Sequence, residues 1–172
     1  FMINPPQFAA GIALYPHENL TVAFDMQYDM WSEVKPWIQW KSSGGLPGAP
    51  YPDIELDDVW WPKLGVEWKD RLGGKYSRMD YAVRAGYSYY ESPYPEEQIE
   101  VSNSIDNDAH YFSGGLMFGY HPRRRAQYVG LEYFYEYIHL VERDFKDLSR
   151  DPAVINSKGH VIYQGLNITL KL

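Results

Sequence analysis

The sequence predicts an all-β protein: an antiparallel transmembrane β-barrel, of which about seven strands are present here. Three observations carry this expectation. Leu20 to Trp31 alternates without a break, with Leu20, Val22, Phe24, Met26, Tyr28 and Met30 on one side and Thr21, Ala23, Asp25, Gln27 and Asp29 on the other. Side chains alternate across a strand, so such a run presents one face to an apolar medium and the other to water or polar groups. Its length, about 11 residues, is what a tilted strand needs to cross the hydrocarbon of a bilayer. Finally, the connections between such runs alternate between short turns and long polar segments, as they do at the two ends of a membrane barrel.

The strands follow in order. Phe8 to Tyr15 puts Phe8, Ala10, Ile12 and Leu14 on one face, and Pro16-His17-Glu18-Asn19 turns the chain into the Leu20 strand. Val59 to Lys69 sets Trp60, Leu64, Val66 and Trp68 against Trp61, Lys63 and Glu67, with Pro62 near its start, where a missing N–H is tolerated. Asp80 to Tyr90 opposes Tyr81, Val83, Ala85, Tyr87 and Tyr89 to Ala82, Arg84, Gly86 and Ser88. Phe112 to Tyr120 carries Phe112, Gly114, Leu116, Phe118 and Tyr120 in phase, closed by His121-Pro122-Arg123-Arg124-Arg125. Val129 to Val141 opposes Val129, Leu131, Tyr133, Tyr135 and Tyr137 to Gly130, Glu132, Phe134 and Glu136. His160 to Leu172 ends on Leu166, Ile168, Leu170 and Leu172, interleaved with Asn167, Thr169 and Lys171.

The turns at 16–19 and 121–126 are short, 70–79 is intermediate, and 32–58, 91–110 and 142–159 read as long polar loops. Seven strands leave an open edge that cannot survive in lipid, and bacterial single-chain barrels have even strand numbers. The chain is therefore expected to be part of a barrel. The competing arrangement is a soluble antiparallel sandwich or lipocalin-like barrel. Soluble strands are shorter, averaging about 5–6 residues, and turn their polar side outward.

Composition bounds the remaining possibilities. With 172 residues, 45% hydrophobic, net charge −7 and mean hydropathy −0.48, the chain has the profile of an ordinary acidic domain. Its 16 Tyr and 6 Trp match the aromatic girdles of membrane barrels. No run of about 18 apolar residues exists for a spanning helix. The absence of cysteine removes disulfides and cysteine-based metal or redox sites. Phe1 to Pro6 has no signal-peptide pattern, so a signal is expected to have been removed or to lie elsewhere.

Catalysis is not expected. His17, His110, His121, His139 and His160 are scattered and form no metal-type pair. Ser88, Ser92 and Ser113 lack both a Gly-x-Ser-x-Gly setting and a sequence-adjacent base. The acidic run from Asp53 to Asp58 lacks the glycine turn of a calcium loop. Arg123, Arg124 and Arg125 are too few on an acidic chain for nucleic-acid binding and suit a turn facing anionic lipid heads. Neither metal nor cofactor is expected.

The order of motifs resembles a known family. Asn4-Pro5-Pro6-Gln7-Phe8-Ala9-Ala10-Gly11-Ile12-Ala13, then Pro16, Asn19-Leu20-Thr21 and the Asp25 to Trp31 segment, is similar to the C-terminal half of the FadL/TodX long-chain fatty acid transporters of Gram-negative outer membranes. The resemblance continues through Leu64-Gly65-Val66-Glu67-Trp68, Val83-Arg84-Ala85-Gly86-Tyr87 with Ser92-Pro93, and Phe112-Ser113-Gly114-Gly115-Leu116. It implies a 14-stranded outer-membrane barrel whose second half lies here. It also implies uptake of hydrophobic molecules that bind near the extracellular loops and leave through an opening in the barrel wall. The hatch and the kinked strand of that opening would lie upstream. The terminal Leu172 departs from the usual aromatic barrel end.

On this reading, Trp31, Trp37, Ile38 and Trp40 are candidates for an apolar landing surface, or else for the upper aromatic girdle. Asp25, Asp29, Glu67, Arg84, Glu132 and Glu136 are candidates for a lumen polar network, with a carboxylate partner expected for Arg84. The expected partners are outer-membrane lipid and lipopolysaccharide, a hydrophobic small-molecule ligand and the missing N-terminal half of the barrel. A second expectation is a structural one, in which a FadL-like barrel anchors envelope-complex proteins.

Overall fold

The computed structural model describes residues 4–34, 56–73, 78–94, 97–98, 106–122, 127–147 and 153–171. They form one sheet of eight strands: β1 (Gln7–His17), β2 (Leu20–Asp29), β3 (Val59–Arg71), β4 (Met79–Tyr90), β5 (Glu97–Gln98), β6 (Ala109–Tyr120), β7 (Tyr128–Asp147) and β8 (Ala153–Lys171). Seven are long and pair antiparallel with their sequence neighbours. The two-residue β5 runs parallel to the upper end of β7. A 3-10 turn, Trp31–Val34, follows β2. Among the described residues no helix is long and apolar enough to cross a membrane.

Register turns the alternation of each strand into two continuous faces. One row runs Ile12, Phe24, Leu64, Tyr87, Phe112, Tyr137 and Ile162 across all seven long strands. Another runs Leu20, Trp68, Val83, Leu116, Tyr133 and Leu166. The opposite face carries Thr21, Glu67, Arg84, Gly115, Phe134 and Gly165 in one row and Gly11, Asp25, Lys63, Ser88, Tyr111 and Ile138 in the next.

No second layer of the described chain covers the apolar face. Its residues stay open, and most so on the two outermost strands, where Ile12 is 59% and Leu166 70% exposed. The buried hydrophobics are few, and Val34, Leu56, Val59 and Phe145 among them sit at the loop end. A soluble sandwich would bury these apolar rows between two sheets. A membrane barrel leaves them for lipid, and the outer edges of β1 and β8 mark where the rest of the cylinder must join.

Glu18 and Asn19 alone separate β1 from β2, and β3 closes toward β4 through Gly73, whose φ of 92° lies in the left-handed region that favours glycine. These short turns share one end of the sheet with the 121–127 connection, and the longer connections share the other.

Two expectations change. The segment 142–159, expected as a polar loop, is mostly strand: β7 reaches Asp147 and β8 begins at Ala153. Twenty residues of tilted strand span roughly 50 Å, about twice the apolar band of a membrane barrel. The upper part of this hairpin therefore lies in water, where polar side chains on both faces are no obstacle to a β ladder. Trp31, expected at the end of the β2 strand, belongs instead to the 3-10 turn.

The two faces should respond differently to charge. In the full-length protein folded into bilayers, Leu116→Arg on the apolar face is expected to lower unfolding stability by about 2–4 kcal/mol, and Thr21→Arg on the polar face by about 1 kcal/mol or less. Equal losses in denaturant titrations would contradict the assignment of faces.

Candidate functional site

The polar face owes its character to which residues fall in phase on adjacent strands. Glu67 on β3, Arg84 on β4 and Glu132 on β7 are brought together there. Arg84 Nε donates to Glu67 Oε2 at 2.6 Å, and Arg84 Nη1 donates to Glu132 Oε1. To reach β7 the guanidinium passes over β6 at Gly115, its register partner. A guanidinium between two carboxylates forms charge-assisted bonds in both directions and ties β3, β4 and β7 together.

Beside this cluster, Lys63 Nζ donates to Gln27 Oε1 at 2.8 Å, and Gln27 Nε2 donates to Asp29 Oδ1 at 2.8 Å. Asp29 is 3% exposed, so its hydrogen bond is needed to offset the loss of water. Lys63 also lies 3.7 Å from the centre of the Trp61 ring. Asp25 and Glu136 line the same trough, a space of about 520 Å³ whose walls include Lys63, Glu67, Arg84 and Glu132.

Toward the loop end this face becomes aromatic. Trp61 meets Tyr90 edge-on, with ring centres 5.2 Å apart, and Tyr111 at 5.7 Å. Tyr111 and Phe134 line the trough. The Phe134 ring reaches over Gly165, where a Cβ would come within 2.5 Å of it, so the glycine makes room for the aromatic. Among the described residues the buried indole Nε1 of Trp61 has no acceptor.

Above the aromatic zone the loops are tied down by buried polar groups. β7 gains one residue relative to β8 between Leu140 and Arg143, a β-bulge that interrupts the ladder. Asn107 repairs it: its Nδ2 donates to Val141 O at 2.8 Å and Ser157 O at 2.9 Å, and its Oδ1 accepts from Ser157 Oγ at 2.8 Å. Val141 N donates in turn to Asp108 O at 2.8 Å. Arg143 donates to Tyr94 O and, at 3.4 Å, to Asp106 O.

Ser92 N donates to Asp108 Oδ1 at 2.8 Å and Ser92 Oγ to Asp106 Oδ2 at 3.2 Å. Burial pushes the Asp106 carboxyl up from its ordinary value, against the opposing pull of Ser92, the Asn107 N–H and Arg143. On the neighbouring strands, Tyr28 Oη donates to Asp58 Oδ2 at 2.6 Å and Ser32 N to Asp58 Oδ1 at 2.9 Å, anchoring the 3-10 turn that carries Trp31. These bonds, the Tyr28 hydroxyl first, hold the Asp58 carboxyl below its ordinary value.

Against the sequence expectations, Asp25, Asp29, Glu67, Arg84, Glu132 and Glu136 do share one face, and Arg84 has the carboxylate partner expected of it. The six form no single network: one trio is joined through Arg84, Asp29 belongs to the Lys63 and Gln27 chain, and Asp25 and Glu136 stand along the walls. Trp31 lies on the turn above them, whereas Trp37, Ile38 and Trp40 lie outside the described residues. Among the described residues no group of three or more His, Asp or Glu side chains is arranged to hold a metal.

Trp61, Tyr111, Phe134 and Lys63 were not singled out from sequence. Their phase with Glu67 and Glu132 was the available signal.

A sheet with one apolar face left open, a polar trough on the other and two unpaired edges is part of the wall of a β-barrel. No protein-family model matches the chain. It is 31% identical over 174 residues to Alkane uptake protein A of Marinobacter nauticus (strain ATCC 49840 / DSM 8798 / CIP 103578 / SP17), a match covering 98% of this chain and 36% of that protein. The chain thus spans little more than a third of the length of the curated relative it matches. This similarity, over nearly the whole chain, is consistent with the FadL-type resemblance of its motifs.

Two checks follow from the loop-end geometry. Asn107→Ala in the full-length protein should leave the Val141 and Ser157 carbonyls unpaired, at a cost of about 1–3 kcal/mol, seen as faster amide exchange in 141–147 with the lower strands unchanged. For Asp58, a carboxyl held below its ordinary value stabilises the anchor above about pH 4, and this is lost as pH falls through the lowered value. Exchange of the Ser32 N–H should therefore accelerate only in acid, and Asp58→Asn should show the fast rate at neutral pH.

Proposed function

We propose that this chain is the C-terminal half of an outer-membrane barrel that takes up hydrophobic small molecules passively. The observation that carries the reading is the trough, a face of charged and polar side chains that nonetheless presents Tyr111 and Phe134, with Trp61 packed against Tyr111. Aromatic side chains contribute large apolar area at little entropic cost, which suits a ligand with a hydrocarbon body and few polar atoms. The relative named for alkane uptake supports the same class of cargo, and long-chain fatty acids belong to the wider class the motifs imply.

In this reading a hydrophobic molecule lands among the loop-end aromatics, with Trp31, Trp37, Ile38 and Trp40 as the outer surface. It then passes to Trp61, Tyr111 and Phe134 and leaves laterally through the barrel wall. The apolar face meets outer-membrane lipid and lipopolysaccharide, and the upstream half of the protein supplies the remaining strands. The charged cluster around Arg84 stiffens the wall beneath the site. No step calls for a catalytic group or a cofactor.

The test is uptake of radiolabelled hexadecane by cells lacking the gene, complemented with the full-length protein. Complementation should restore uptake, and Trp61→Ala with Tyr111→Ala together should reduce it about tenfold at unchanged surface expression, at about 1 kcal/mol or less for each ring contact. Uptake no faster than in the deletion strain would defeat the reading.

A further inference from the structure

We propose that the Glu67, Arg84 and Glu132 cluster is a selectivity element that favours uncharged hydrocarbons over ligands bearing a carboxylate, a proposal that rests on the uptake reading above. An alkane and a fatty acid of equal length offer the same hydrocarbon to Tyr111 and Phe134, and differ only at the head. A carboxylate leaving bulk water needs a cation whose charge is not already offset by other anions. The single charge of Arg84 is already faced by two carboxylates, Glu67 at Nε and Glu132 at Nη1. The other cation lining the trough, Lys63, donates to Gln27 at 2.8 Å and packs on Trp61.

The surrounding charge has the wrong sign for an acid. Asp25, Glu67, Glu132 and Glu136 stand against Lys63 and Arg84, so the trough lining carries a net charge of minus two. Phe134 lies in the same register row as Glu67 and Arg84, so a chain resting on that ring has its end beside the cluster. At contact distances, even in a groove open to water, repulsion from a net charge of minus two disfavours an anion by about tenfold or more. A hydrocarbon is indifferent to it. Specificity here is a difference of affinities, produced by what the site repels.

The experiment compares radiolabelled hexadecane with radiolabelled palmitate in the deletion strain expressing the full-length protein, at about pH 8, where the fatty acid is ionised. Wild type is expected to take up hexadecane at least about tenfold faster than palmitate. Glu132→Gln, which removes one negative charge from beside Arg84, should raise palmitate uptake several-fold with hexadecane uptake unchanged. Glu67→Gln should do the same, and Glu132→Asp should keep the wild-type ratio. Heat-modifiable gel migration checks that each variant folds. Equal uptake of the two ligands by wild type, or Gln variants that fold but leave the ratio unmoved, would overturn the selectivity proposal while leaving uptake intact. Failure of both ligands to enter faster than in the deletion strain would overturn the uptake reading, and selectivity with it.

Discussion

Every part of this structure answers to one constraint: backbone N–H and C=O groups must be paired wherever water is absent. In hydrocarbon an unpaired group costs several kcal/mol, which leaves helices and closed sheets as the only spanning forms. The long strands meet this demand by pairing antiparallel with their neighbours over most of their length. The apolar rows are a consequence of that ladder, since its fixed register aligns Ile12, Phe24, Leu64, Tyr87, Phe112, Tyr137 and Ile162 into one surface.

The same demand governs the loop end, where it is met by side chains. At the bulge in β7 the ladder cannot supply partners for Val141 and Ser157, and the Asn107 amide does so. The Tyr28, Asp58 and Ser32 bonds do comparable work for the turn that bears Trp31. The polar face follows a different rule. Its charges are tolerable because each cation has acceptors close by, which leaves the nearby rings as the part of the trough with most to offer an apolar molecule.

Much of the fold was legible because a membrane strand advertises itself twice, in its period of two and in its length. Leu20 to Asp29 shows both. The upper halves of β7 and β8 showed neither, since Glu142, Arg143, Asp144 and Lys146 read as a solvated loop. A strand standing in water above the bilayer needs no greasy side, so hydropathy carried no mark of it. The phase of Glu67, Arg84 and Glu132 could be read from each strand alone, and so the shared face was expected. That Arg84 reaches two strands away to Glu132 depends on register and on the small Gly115 between them, and alternation does not encode either. Trp61 and Phe134 were placed on the polar side by their phase, but their value lies in being exceptions there, which only the assembled face makes visible.

The two free edges carry a kinetic consequence. Contacts within the hairpins are local and form early, since loops of a few residues close in well under a microsecond. A meander sheet of this kind closes into a cylinder where its first and last strands meet, and that sealing is the longest-range event of assembly. Until then each edge is a row of unmet donors and acceptors open to any passing strand. A sheet with such margins therefore stays exposed to mispairing for as long as its closure is delayed.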